Sequence, residues 1–417
     1  MTRFLEVVAA VLVVFLVFVT VGILLPAERR IEHTVESNRP VRIVYDIING
    51  FTRFDDWNAL RMQDPRIRYS ISGPQFGEGA KLDYRSFFRN VGEGSWTLIE
   101  SEIDGDTASV VFEIDDKSFG TNKRMSFDIE RKTRTTEITQ RYTVDYGWDL
   151  RGRFAGIYAP RNFGRDIRKG LDNLGALLAT IPNFDYTDVV VRTVEVPAQN
   201  VLFMETKSER NITAVENATT TQLKWIKQVM EKNDLVAAGP FRLVTTNFGS
   251  DSYEFDIQQP VRRRGGEWPW PVQEAEEEEP QEDEAEPSED ELPSDDDAQA
   301  SDESSEPEEE PDTFGAEDLP AVEPIDPETI KLEGEVQVGR SYEGRALKTS
   351  YKGHPAGLPV KRDQLRAWAE TRGEEVQDRA FEEYLQDIET TQPEDSEFNV
   401  YWPIKSTEAA ATDSTQR

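Results

Sequence analysis

The chain has no cysteine and only two histidines, His33 and His354, in 417 residues. Disulfides, thiolate metal sites and cysteine nucleophiles are therefore excluded. A histidine-rich metal centre is excluded too, and a Ser-His-Asp triad would have one of two bases to use. Cations are also scarce: 47 Lys and Arg stand against 81 Asp and Glu, a formal net charge of −34. The one basic cluster, Arg262 to Arg264, is short and borders the most acidic stretch. Phosphate contacts need clustered Lys and Arg, so no nucleic-acid partner is expected. No motif supplies ligands for a metal or cofactor, and none is expected.

The acidity is concentrated. Residues Gln273 to Pro324 hold 25 of the acidic side chains and no Lys or Arg, so the rest of the chain is only mildly acidic. Rich in Pro, Ser, Glu and Asp, this segment cannot bury enough apolar surface to offset its ordering entropy. It is expected to be a solvated, disordered insert over 273–324. The sharper alternative is an electrostatic arm for a basic protein partner. Trp268 and Trp270 just before it are expected to pack back onto the preceding unit.

Val7 to Leu25 is interrupted only by Thr20 and Gly22. As a helix it would be roughly 28 Å long, close to the ~30 Å hydrocarbon core of a bilayer. Pro26 ends the run. A membrane anchor over 5–26 is the preferred reading and a cleaved signal peptide the competing one. Arg29, Arg30, Arg39 and Arg42 follow the span and Arg3 precedes it, which leaves the side of the membrane open, since large domains override the charge rule.

Residues 31–182 read as one α+β domain. Ile31 to Ser37 suits a strand. Val41, Val44, Tyr45 and Ile48 fall at helical spacing, and a short helix holds Phe54 and Trp57. Six strands follow, separated by Gly and Asp turns. One long helix from Leu150 to Thr180 is expected to bury Ile157, Phe163, Ile167, Leu171, Leu174 and Leu177. The segments Phe54-Asp55-Asp56-Trp57-Asn58, Ser72-Gly73-Pro74, Gly77-Glu78-Gly79-Ala80 and Val91-Gly92-Glu93-Gly94 resemble the SRPBCC (START-like, polyketide cyclase/dehydrase) superfamily. That resemblance implies a helix-grip fold with a cavity for a hydrophobic small molecule or lipid. Asp83, Arg85, Glu113 and Arg141 are the strand residues able to point inward, and Trp57, Trp96 and Trp148 are read as core and rim packing.

A second unit follows and repeats itself. Phe255-Asp256-Ile257-Gln258-Gln259-Pro260-Val261 recurs as Phe398-Asn399-Val400-Tyr401-Trp402-Pro403-Ile404, and Trp225 recurs as Trp368 at the same offset. Two copies of strand-helix-strand-strand are expected, over 184–272 and 325–405, with a flexible tail at 406–417. The pattern resembles the GyrI-like small-molecule-binding domain, also found as the effector-binding domain of AraC-type regulators. The resemblance implies a groove between the repeats, lined by Trp225, Phe255, Trp368, Tyr384, Phe398, Asn399 and Tyr401. Where the family often carries an acid, this chain has Asn399, which cannot serve as a general base. His354, between Gly353 and Pro355, is read as a loop residue.

The fold class expected is thus α+β: a helix-grip domain, then a two-repeat domain, behind a membrane helix. No acid/base pair has a diagnostic spacing, so no catalytic residue is assigned. The expected function is non-enzymatic binding of hydrophobic small molecules or lipids. The alternative is a hydrolase or cyclase acting on an apolar ester.

Overall fold

The computed structural model describes residues 2–88, 91–265, 315–377 and 379–405. Helix α1 (Thr2–Leu24) is long and apolar enough to cross a membrane, by length and composition, and its apolar side chains are exposed. The last carbonyls of a helix lack internal partners. Here the Arg153 guanidinium supplies one, donating to the carbonyls of Gly22, Ile23 and Leu25 at 3.4, 2.9 and 3.1 Å.

The first domain runs β1 (Glu28–Ser37), α2 (Val41–Ile48), α3 (Phe54–Trp57), α4 (Leu60–Gln63), β2 (Arg68–Ser72), β3 (Lys81–Arg85), β4 (Glu93–Asp104), β5 (Thr107–Asp116), β6 (Thr121–Arg131), β7 (Thr136–Asp145), α5 (Leu150–Ala155) and α6 (Ala159–Thr180). Its seven strands form one antiparallel sheet ordered β1-β7-β6-β5-β4-β3-β2. Alternation drives the packing: β7 buries every second residue, with Ile138, Tyr142 and Val144 turned to the core. The expected single helix over 150–180 is instead two. The chain breaks at Gly156 to Tyr158, and Pro160 falls in the first turn of α6, the one place where its missing N–H costs nothing. Ile167, Leu171 and Leu174 are buried as expected, whereas Ile157 and Phe163 are 46% and 37% exposed. The break turns Ile157 off the buried stripe, while Phe163, one turn before Ile167 in α6, stacks on Tyr142 at 5.1 Å at the edge of the cleft.

The second domain runs β8 (Arg192–Val196), β9 (Asn200–Glu209), α7 (Ile212–Lys232), β10 (Leu235–Ala237), β11 (Phe241–Phe248), β12 (Ser252–Arg263), β13 (Gln337–Arg340), β14 (Gly344–Lys352), α8 (Leu358–Arg372), β15 (Phe381–Tyr384) and β16 (Glu397–Pro403). The sheet order is β13-β9-β12-β11-β15-β16-β14-β8, with β10 beside β12. Its centre lies between β11 and β15. On either side the order is matched, and each half borrows the opening strand of the other: β13 pairs with β9, and β8 with β14. Both helices cover one face. Gly373, at φ +77°, closes α8 in the left-handed conformation that glycine adopts without strain.

The two domains share a contact built on α2 and α8. Asp46, 6% exposed, accepts hydrogen bonds from Tyr186 Oη and from Arg372 Nη2, each at 3.0 Å. Arg372 also lies 4.1 Å over the Trp368 ring.

Residues 273–314 of the expected insert and the tail 406–417 lie outside the described residues, as do Trp268 and Trp270. Its last ten residues correct the expectation of a wholly unstructured segment. Ala316 and Leu319 are buried, and Asn200 holds the backbone at both Glu323 and Ile325. The physical reason is local: the few apolar residues of the insert cluster between Phe314 and Val322, and the burial of Ala316 and Leu319, with hydrogen bonds at Ala316, Pro320 and Glu323, offsets the ordering entropy of ~1–2 kcal/mol per residue.

Candidate functional site

The space between the first sheet and α6 is mostly filled. Phe54 sits at the hub of an aromatic cluster, meeting Phe51, Trp57 and Trp96 edge-on at 5.5, 5.3 and 5.2 Å. Phe112 and Phe127 extend it. The cleft left over is about 100 Å³, between Trp57, Tyr142, Phe163 and Gln140. Drug-sized sites are ~300–1,000 Å³. The expected ligand-sized cavity is therefore not built here, because bulky rings occupy it. Asp83, Arg85 and Glu113 are exposed, and Arg141 pairs outward with Glu32 and Asp128; none enters the cleft. Trp57 and Trp96 are core, and Trp148 is 82% exposed.

The second domain offers more. Phe381-Glu382-Glu383-Tyr384 is a central strand with two adjacent carboxylates, and alternation sends them to opposite faces. On the helix-covered face, Glu382 lies 2.8 Å from Arg362 of α8, with 1% and 10% of their side chains exposed. Arg362 also donates to Thr245 Oγ1 at 2.6 Å and sits over the rings of Phe248 and Tyr253. Around this pair is a pocket of about 210 Å³. Its walls are the first turns of α7 (Ile212, Val215) and α8 (Leu358, Pro359), and its floor is Leu243, Tyr253, Glu382 and Tyr384. Two helix N-termini thus converge on it. Burial pushes the Glu382 carboxyl above the usual carboxylate range, with Arg362 pulling the other way. Burial also pushes the Tyr253 phenol up to about 12. A broader open depression of about 500 Å³ adjoins it at Tyr384, but its charged groups, Lys227, Asp387 and Glu397, are not buried.

The opposite face is sealed. Glu383 pairs with Arg242 at 3.0 Å, with 0% and 1% of their side chains exposed. Tyr401 Oη lies 2.9 Å from Glu383 and 2.7 Å from Glu317, and the Ala316 N–H donates to both Glu383 and Tyr401. Lys348 pairs with Glu317. A Cβ on Gly315 would lie 2.7 Å from Lys348 Nζ, so glycine is what lets the backbone come this close.

The seven residues expected to line one groove are therefore divided. Phe255, Tyr384 and Phe398 lie on the helix face, and of these Tyr384 lines the pocket. Asn399 and Tyr401 lie on the sealed face; Asn399 is completely buried, 3.2 Å from Ser350 Oγ and 3.4 Å from Glu383. Trp225 is 44% exposed, and Trp368 is partly buried between the cores of the two domains. His354 caps a short turn, its Nδ1 accepting from the Ala356 N–H. Sequence reasoning missed Glu382, Arg362, Arg242 and Glu383. The available signal was two carboxylates inside a strand flanked by Phe381 and Tyr384, since buried charges need partners. Among the described residues no cluster of His, Asp or Glu is placed to hold a metal ion.

No known protein family matches the sequence, and no curated protein does. Solved structures do match parts of it. A norcoclaurine synthase point mutant from Thalictrum flavum is 14% identical, with 37% of this chain and 95% of that one covered and a TM-score of 0.28. A hydrolase from Listeria innocua is 11% identical over 52% and 91%, at 0.29. The di-domain ARO/CYC StfQ of the steffimycin biosynthetic pathway is 11% identical over 37% and 51%, also at 0.29. With TM-scores this low, none of these likenesses carries an argument beyond the match itself.

Proposed function

We propose that the protein is a membrane-anchored, non-enzymatic receptor for a small hydrophobic molecule, with its ligand site in the second domain. The observation that carries this reading is the Glu382–Arg362 pair at the floor of a mainly apolar and aromatic pocket, whose lining also includes Arg210, Asn211 and Glu216. Ligand sites combine such walls with a few convergent polar groups. The pocket is small, so the ligand is a compact aromatic or branched molecule, or one end of a lipid. A carbonyl, amide or hydroxyl on it would hydrogen-bond to the ion pair. The α1 helix serves as the anchor in this reading. The first domain is read as SRPBCC-like, on its seven-stranded sheet and long closing helix, and the second as GyrI-like, on its two matched halves. We place the ligand in the second domain because the cleft left in the first, about 100 Å³, is about half the volume of the Glu382–Arg362 pocket.

The test is isothermal titration of the full chain in detergent with a panel of compact aromatic and acyl compounds. Val215→Trp fills the pocket from α7. The reading predicts binding by the parent and at least tenfold weaker binding by Val215→Trp at unchanged stability. Equal binding by both would overturn it.

A further inference from the structure

The first sheet has two ends of opposite character. At one end the β4–β5 and β6–β7 turns present Asp104, Asp106, Lys132 and Arg134, all exposed. At the other end the strand registers bring three connections side by side. Arg85 pairs with Glu93, Gly94 with Asp116, Thr121 with Asp145, and Asp145 with Glu28. The connections between these strands carry Phe87, Phe88, Phe119 and Trp148, with exposures of 69%, 48%, 54% and 82%. The α5–α6 junction adds Ile157 and Tyr158. Such a gathering of large exposed rings on neighbouring tips marks an interaction surface.

The same end is where α1 leaves. Tyr146 N donates to the Ala27 carbonyl at 2.7 Å, joining the β7 end to the residue three beyond the helix. Helix α5 runs against α1, with Phe154 stacked on Phe18 at 4.2 Å and Leu150 and Phe154 packed at Gly22. Phe18 lies seven residues before Leu25, about 10 Å along a helix rising 1.5 Å per residue. A span that places Leu25 at the membrane boundary thus carries α5 below it.

We propose that this end of the first domain docks into the head-group and upper acyl region of the bilayer, with Phe87, Phe88, Phe119 and Trp148 inserted. The proposal rests on reading α1 as a membrane span. Aromatic rings are enriched at that depth, and interfacial helices bury their apolar face ~5–10 Å into it. Arg85 and Lys117 converge on Glu93, at 3.5 and 2.6 Å, and Asp115, Asp149 and Arg151 are exposed at the same end, so charges of the two signs are balanced around the rings. Docking is accordingly driven by apolar area. It occurs on phosphatidylcholine vesicles without anionic lipid and persists at high salt.

The absence of native cysteine makes the test direct. Phe88→Cys, Phe119→Cys and, as a control at the polar end, Asp104→Cys are each labelled with an environment-sensitive dye. The full chain is then reconstituted into phosphatidylcholine vesicles, with or without a spin label on the lipid. The expected result is a blue shift and loss of emission to the lipid-borne spin label at Phe88→Cys and Phe119→Cys, and neither at Asp104→Cys. Equal water exposure at all three sites overturns the proposal, and so does shielding that lipid-borne quencher does not reach, which would indicate a protein partner. Retention of the chain after an alkaline wash reports on α1 separately. Retained chain with unquenched labels refutes docking but keeps the anchor, and quenched labels on extractable chain support docking and remove the anchor.

Discussion

Glu382 and Glu383 are neighbours in one strand, each paired with an arginine, yet removing them should have unequal consequences. Glu383→Leu leaves Arg242 charged under the Gly315–Leu319 segment, where its side chain is 1% exposed. Breaking such a buried pair costs about 3–5 kcal/mol. The Ala316 N–H also loses one of its two acceptors. Glu382→Leu strands Arg362 instead, but Arg362 keeps Thr245 and lines a pocket that water can enter. The loss there is closer to that of leaving one buried polar group without its partner, about 1–3 kcal/mol. The expected gap is about 2 kcal/mol, which moves a urea midpoint by roughly 1 M at an m-value of ~2 kcal/mol per M. The assay is urea unfolding of the full chain in detergent, comparing each variant's midpoint with the parent. Ligand affinity should respond in the reverse order, falling with Glu382→Leu and holding with Glu383→Leu wherever that variant is still folded. Equal destabilisation by the two, or a larger loss at Glu382, would refute the distinction between a sealed pair and a pocket pair.

Trp57→Ala should cost about 3–5 kcal/mol, the usual penalty for a large buried aromatic, because Trp57 is 1% exposed and packs against Phe54 and Phe127; thermal unfolding of the full chain reads it. Deleting 273–314 should leave the second domain's melting transition near that of the parent, while deleting 273–324 should lower it, since only the longer deletion removes Ala316 and Leu319 and the Glu323 carbonyl that Asn200 binds. Glu382→Gln should flatten the pH dependence of stability above the ordinary carboxylate range. Burial raises the folded-state pKa above its unfolded value near ~4.3, so the folded chain holds an extra proton between the two and stability falls as pH rises through that window. Denaturant titrations from pH 4 to pH 8, at intervals of about one unit, would show whether the slope disappears.

Much of the fold was legible because period and punctuation agreed. Glycine and aspartate turns separated the first-domain strands, and β7 alternates over its full length. The split of the closing helix was less visible: Gly156 and Pro160 signal a break, but the apolar spacing across them still reads as helical. The duplicated aromatic strand revealed two halves, yet similarity in sequence does not give sheet register. Without register, the alternation that sends Phe398 to one face and Asn399 to the other cannot be assigned. The site residues were sought at the repeat's aromatic positions for that reason. The charges that organise the site, Arg362 and Glu382, come from different elements and are brought together only by the packing of α8 on the sheet, against β14 and β16. Exchange of β8 and β13 between the halves was likewise invisible, since nothing in a strand's own composition names its partner.

The most direct test of the central claim is native mass spectrometry of the full chain as extracted from membranes, with parent and Val215→Trp handled side by side. The account predicts a compact apolar molecule bound one to one to the parent and absent from Val215→Trp. The same bound mass on both would contradict it, placing the ligand away from the Glu382–Arg362 pocket.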